Sequence, residues 1–464
     1  MKSLSGLERY FYSRSHLQYH SCFFLAIKLN NEVSISLINA ALRQTIARFP
    51  QLYSNVHEVD GALALKPLKH PILSKDVLQE ASFASLNEDS VNSIFQKINF
   101  PYHVERPLWK ILLLQDRRTL VLCADHVIMD GLSTVAFWRT FLSNLNSPQK
   151  QDNSTTVLYR PNGDEAEVPQ HPYDLIRYSF VGLLMVAFVR TLVLLTYFGI
   201  DTIGKIFSPE LTDKDFKFPR YQFPRGLLTS GGEVRNDNCQ FNLHIPASKM
   251  PQLLSQCKVR TVSLTSLLVA AIAHALARVP PSEIQGTQLK IAIPINTRSF
   301  VEKATGLDPH LIEFGNFIKG AEISCDTDLL VNLWQTAVAV GSQLTAQRHD
   351  VRSLQLIKLM EFIDVEKFIQ TKASAKYPGS TFEITNIGFE TFGCGQDDKY
   401  WVEDAYFNQP QGFSNFITCS TVTTPVGGLN CCFSYPRDLE NELGPVMDAL
   451  QTTLNSLADG DELS

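Results

Sequence analysis

Residues 119–145 read TLVLCADHVIMDGLSTVAFWRTFLSNL. The segment 119–128 is a short apolar run broken only near its end, which predicts a buried strand. The segment 132–145 carries apolar residues at helical spacing and predicts a helix directly after it. Between the two stand His126, Asp130 and Gly131, an HxxxDG pattern at a strand-to-helix junction. Asp130 is placed to sit close to the helix N-terminus, and Gly131 is free to adopt a positive φ. An imidazole leaving a buried strand is a base of near-neutral pKa, suited to taking a proton from a hydroxyl or an amine. The pattern fixes only three positions of six, so its surroundings carry the weight.

Upstream, WKILLLQD (109–116) and the 119–128 strand flank Arg117-Arg118, which predicts a hairpin. CFFLAIKLN (22–30) reads as a strand, and Ser34 as the N-cap of a helix over 35–49 that Pro50 stops. Short strands are expected in LYSNVHEV and ALALKPL. The second half repeats the grammar: strands at 239–246, 289–298 and 317–325, and helices at 246–258, 265–279, 328–344 and 353–370. Strands at 382–388, 401–407, 413–423 and 428–436 and a helix over 437–457 close the chain. The expectation is an α+β fold of two pseudo-duplicated mixed α/β lobes. The lobes are expected at 1–148 and 235–464, joined by a linker at 149–234.

The chain has 464 residues, more than the roughly 250–300 at which one core stops growing. Apolar residues make up 44% and charged ones 19%, which excludes a disordered or collagen-like chain. A net charge of −6 without a dense basic patch argues against a nucleic-acid partner. The nine cysteines include no CxxC pair, so no zinc or other metal is expected. The linker holds SFVGLLMVAFVRTLVLLTYFGI (179–200), as long as a membrane span but with Arg190 at its centre. One crossing would separate two lobes that share a site. The segment is therefore read as an in-plane or re-entrant membrane contact, or as a buried crossover helix.

No GxSxG elbow, HExxH, phosphate loop or GxGxxG is present. The setting of HxxxDG resembles that of the CoA-dependent acyltransferase superfamily, to which chloramphenicol acetyltransferases and peptide-synthetase condensation domains belong. LERYFYSRSHLQYHSCFFLAIKLN (7–30) and ALRQTIARFPQLYSNV (41–56) narrow the resemblance to the fungal alcohol acetyltransferases and their relatives that N-acetylate sphingoid-type amines. IPINTR (293–298), FGNFIKG (314–320), TNIG (385–388) and residues 407–430 follow in the family's order. The doubled His of condensation domains is Asp125-His126 here, and the DFGWG loop of plant relatives is absent.

The resemblance implies an active site in a tunnel between the lobes. It also implies transfer of acetyl from acetyl-CoA, a co-substrate rather than a bound cofactor, to a lipophilic alcohol. The alternatives are N-acetylation of a long-chain amine and, lower still, a non-catalytic lipid-binding protein of the same fold. His126 would be the general base, Asp130 would be structural and paired with Arg298, and Gly131 would shape the turn. The oxyanion donor or acceptor pocket would come from Asn386, Ser414 or Thr421. His20, His70 and His274 read as structural or solvated. The implied place is the cytosolic face of the endoplasmic reticulum or a lipid droplet, otherwise the cytoplasm.

Overall fold

The computed structural model describes residues 2–147, 156–163, 165–196, 203, 206, 209–221, 238–330, 332–348 and 352–461. Two sheets organise them. In the first, strand Thr119–Ala124 lies between Phe23–Leu29 and Trp109–Leu113, antiparallel to both. All six of its residues are buried. Leu78–Glu80 adds in parallel at the far edge. The hairpin turns through Arg117, at φ 53°. Ser34 caps helix Ile35–Arg48 by accepting from the Leu37 amide, and Pro50 opens a 3-10 turn where the helix stops.

The second sheet has six strands, in the order Asn238–Ile245, Gly428–Pro436, Ile417–Thr424, Phe382–Phe389, Gln288–Asn296, Ile318–Asp326. Helices Leu264–Leu276 and Glu440–Asp459 cover one of its faces and fill the second core. The predicted helix over 353–370 is two helices, Arg352–Lys358 and Val365–Ala373, with a 3-10 turn at Leu359–Phe362 between them.

The strand expected within 401–407 forms at Val402–Asn408, but in the first sheet. It pairs antiparallel with Phe23–Leu29, from Val402 opposite Leu29 to Asn408 opposite Phe24. Alternation predicts that a strand exists, not which edge it joins, and here the open edge of the first lobe takes it. The second half of the chain thus reaches across and completes the first sheet.

The linker is only partly a spacer. Pro172–Leu175 forms a 3-10 turn with His171 and Tyr173 buried against the second lobe. Helix Phe180–Thr196 follows, and the last four residues of the 179–200 stretch lie outside the described residues. It is a surface helix rather than a buried crossover: only Gly182, Val189 and Leu192 are buried. Among the described residues, no single helix is long and apolar enough to cross a membrane.

Candidate active site

The chain leaves strand Thr119–Ala124 through a turn that its own side chains fix. Asp125 Oδ1 accepts from the Val127 amide at 2.8 Å, and Oδ2 accepts from the Tyr102 hydroxyl at 2.9 Å. Asp130 then caps helix Gly131–Asn146, its Oδ1 accepting from the Ser133 amide at 2.9 Å. From 119 to 130 every residue is buried except His126, which is partly buried.

Asp130 is the structural member of the motif. It is 1% exposed and meets Arg298 in a two-pronged pair, Nη1 to Oδ2 and Nη2 to Oδ1, each at 2.9 Å. The Phe317 amide and the Ser133 hydroxyl also donate to it, at 2.9 and 2.8 Å. Burial works against the charge, but the Arg298 guanidinium and these donors hold the carboxyl below its ordinary range. Arg298 further donates through Nε to the Ile312 carbonyl, and its guanidinium stacks over Phe317. The pair joins the first lobe's motif to the end of a second-lobe strand.

Gly131 does not take a positive φ. It is the first residue of its helix, and a Cβ there would stand 2.9 Å from Ile387 Cδ1. The glycine makes room for a second-lobe side chain rather than for a left-handed turn.

His126 is oriented from across the interface. Asn316 Nδ2 donates to the backbone carbonyls of His126 and Val127, at 2.7 and 3.1 Å. That fixes which end of the amide is oxygen, and Oδ1 lies 3.1 Å from His126 Nδ1. Nδ1 is therefore the protonated nitrogen and Nε2 carries the free lone pair. Behind Asn316, His171 Nε2 donates to its backbone carbonyl at 2.8 Å. Phe11 stacks flat on the imidazole, centroids 3.9 Å apart and planes 5° apart, and Phe23 leans on it at 4.8 Å. Burial, reinforced by the Arg14 guanidinium, pushes the imidazole down to about 3, well below the near-neutral value expected from the sequence. The imidazole is neutral in the resting protein.

The other candidate residues lie elsewhere. Asn386 donates to Thr265 Oγ1 at 3.0 Å, at the start of the helix over the second sheet's outer face. Thr421 sits opposite Asn386 and, with Cys419 and Ile417, faces that same core. Ser414 receives the Ser380 amide and hydroxyl on its backbone carbonyl, both at 3.0 Å. None of the three has a contact with His126 among the described residues. Strand alternation puts Thr418, Ser420 and Val422 on the opposite, interlobe face, where Val422 joins the first core. Ser420 there is fully buried with its hydroxyl unpartnered, as is the Thr421 hydroxyl on the other face. Reasoning from the sequence missed Asn316, Phe11 and His171. Asn316 lay inside the FGNFIKG stretch without a role, and only the parity of the strand separates Ser420 from Thr421. Among the described residues, no group of three or more His, Cys, Asp or Glu is placed to hold a metal ion.

Comparison with known proteins places this geometry. The sequence model of the alcohol acetyltransferase family matches residues 3–63 and 70–454. The N-acetyltransferase SLI1 of Saccharomyces cerevisiae is 31% identical over 480 aligned residues, covering 97% of this chain and 99% of its own. An uncharacterised protein of Schizosaccharomyces pombe is 24% identical, over 90% of this chain and 86% of its own. Among solved structures, the TRI3 trichothecene 15-O-acetyltransferase of Fusarium sporotrichioides superposes with a TM-score of 0.67 at 12% identity, over 97% of this chain and 94% of that one. The epimerization domain of tyrocidine synthetase B does so at 0.63 and 12%, over 98% and 97%. The fold is thus the two-lobe fold of condensation domains and CoA-dependent acyltransferases. By its family match and its relatives, this chain is an acetyltransferase and belongs to the alcohol acetyltransferase family.

Proposed function

We propose that the protein moves an acetyl group from acetyl-CoA to the amine or hydroxyl of a lipophilic acceptor, with His126 as general base. The observation that carries this is the imidazole held by Asn316 with Nε2 free at the lobe interface. Nε2 takes the acceptor proton as its nitrogen or oxygen attacks the thioester carbonyl. Collapse of the tetrahedral intermediate breaks the C–S bond, and the departing thiolate takes the proton back from Nε2. The products are acetylated acceptor and CoA thiol, with no covalent acyl-enzyme between. We assign the oxyanion hydrogen bond to the Ser420 hydroxyl, which is buried on the interlobe face with no partner of its own. A neutral resting imidazole suits this cycle, because its positive form exists only while the intermediate is negative.

The amine reading draws on the full-length similarity to an N-acetyltransferase; the hydroxyl reading draws on the description of the family. Purified protein, acetyl-CoA and matched medium-chain amine and alcohol acceptors separate them, with the acetylated product identified by mass. Transfer to neither acceptor would overturn the proposal and favour a binding protein.

Helix Phe180–Thr196 supports a lipophilic acceptor. Phe180, Val181, Leu183, Leu184, Phe188 and Leu194 are each at least half exposed, and they spread over about half of the helix circumference. A groove in a partner protein would cover a narrower stripe, whereas a lipid surface receives so wide an arc. The helix contacts the turn Leu359–Phe362, which in turn contacts helix Gly6–His16, the carrier of Phe11. Such a contact fits the cytosolic face of the endoplasmic reticulum or a lipid droplet. Changing Leu184 and Phe188 to Ser is expected to lower co-sedimentation with phospholipid vesicles by tenfold or more, at roughly 1.5–3 kcal/mol for each buried side chain. Unchanged co-sedimentation would reject the contact.

A further inference from the structure

Helix Gly6–His16 carries a second side chain to the active site besides Phe11. Arg14 stands one turn further on, on the same side of the helix, and its guanidinium lies over the Phe11 ring, 5.1 Å from the centroid. That ring is the one stacked on His126 at 3.9 Å. Of the charged groups that act on the imidazole, Arg14 acts most strongly, ahead of Asp130 in the motif's own turn. A cation thus stands one ring away from the base.

No carboxylate pairs with this cation. Its Nε and Nη2 are shut off from solvent, and neither has a hydrogen-bond partner among the described residues. The carboxylates whose fields reach it, Glu383 and Asp125, are engaged elsewhere. Glu383 accepts from Gln409 Nε2 at 3.1 Å, and Asp125 accepts from the Val127 amide and the Tyr102 hydroxyl. Buried guanidinium donors are ordinarily paired, so two open ones call for an occupant.

The reaction supplies one. Attack on the thioester moves the carbonyl electron pair onto its oxygen, and that negative charge develops beside the base that starts the step. A guanidinium already neutralised by a carboxylate would offer it little, whereas Arg14 keeps its field. The same field opposes protonation of His126, so a charge with no other role would only slow the transfer. Strand pairing sets Glu383 and Thr385 on the same sheet face as Ser420, with Thr385 opposite it, and the Thr385 hydroxyl donates to Glu383 at 3.4 Å. Arg14 and the Ser420 hydroxyl thus border the same space between the lobes.

We propose that Arg14 is a catalytic residue of the transfer, donating from Nε and Nη2 to the thioester oxygen as it becomes an oxyanion, together with Ser420. The proposal rests on the acetyl-transfer reading above and deepens it, whichever acceptor is used. As His126 takes the acceptor proton, the new bond to carbon pushes the C=O electron pair onto the oxygen that the guanidinium holds. When the pair returns, the C–S bond breaks and the thiolate recovers the proton from the imidazolium.

Two measurements test this. In steady-state transfer, Arg14→Met is expected to lower kcat about 100-fold with little change in the KM for acetyl-CoA, as for loss of an oxyanion donor. Arg14→Lys, which keeps the charge, should restore part of the rate and guards against a folding defect in the first variant. A rate within a few-fold of the original in Arg14→Met, or a loss confined to KM, overturns the proposal. Calorimetry then reads the charge without turnover, using two CoA thioethers of similar shape, carboxymethyl-CoA with its carboxylate and the neutral ketone acetonyl-CoA. The unmodified protein should prefer the carboxylate by about tenfold, the size of one charge-assisted hydrogen bond, and Arg14→Met should lose that preference. Equal binding of both by the unmodified protein sinks the role of Arg14 and leaves acetyl transfer standing. Binding of neither sinks the acetyl-CoA reading, and this inference with it.

Discussion

His126, the proposed base, takes its properties from its neighbours. Burial keeps it neutral, the Phe11 ring covers one face, and Asn316 decides which nitrogen holds the proton. Asn316→Ala removes that decision, and with it the two amide hydrogen bonds to the His126 and Val127 carbonyls. Activity is expected to fall about 10–100-fold, mainly in kcat, as for other groups that orient a reactive histidine. A fall confined to KM, or none, would mean that the Asn316 contact is merely structural. The turn around His126 was legible in the sequence because its motif is local, with six residues spanning strand end, turn and cap. Asn316 was not, because it stands 190 residues away and meets His126 only through the assembled interface. The proposed oxyanion donor, Ser420, lies one step along the strand from the sequence candidate Thr421, and one step along a strand reverses the face.

Two elements fit together through the small size of Gly131. Helix Gly131–Asn146 begins against Ile387, from a second-sheet strand whose register shifts between Asn386 and Phe389. Alanine at 131 would gain in helix propensity but would press a methyl group into the Ile387 side chain. We expect Gly131→Ala to destabilise by about 1 kcal/mol, the overpacking outweighing the propensity, and Ile387→Val to recover most of this in the double variant. A double variant that simply adds the two single costs would refute the steric reading; denaturant unfolding measures it. Most helices and strands could be read from periodicity and capping, as Ser34 and the 119–124 strand illustrate. The placement of Val402–Asn408 could not, because a strand pattern carries no record of its partner.

At the scale of the molecule, buried histidines and a shared sheet tie stability to pH. His171 is held at about 4 and His126 at about 3 by burial, while unfolded histidine protonates near 6.5. Below that value the unfolded chain binds protons that the folded chain refuses. This contribution is therefore fully present above about 6.5 and is lost as the pH falls toward 4 and then 3. Asp125, raised to about 6 by burial, works in the opposite sense over part of that window. The difference between variants isolates the histidine. His171→Phe should lose less stability than the unmodified protein between pH 7 and pH 5, measured by urea midpoints. Parallel losses in the two would contradict the assignment.

All of this converges on one nitrogen at the lobe interface. The most direct measurement is the rate of CoA thiol release from acetyl-CoA, with an acceptor that the unmodified protein turns over, by that protein and by His126→Ala. Matched thermal unfolding would show that both are folded. The account predicts a loss of 100-fold or more in the variant, the usual cost of removing a general base. A His126→Ala protein that releases CoA within a few-fold of the original rate would contradict it.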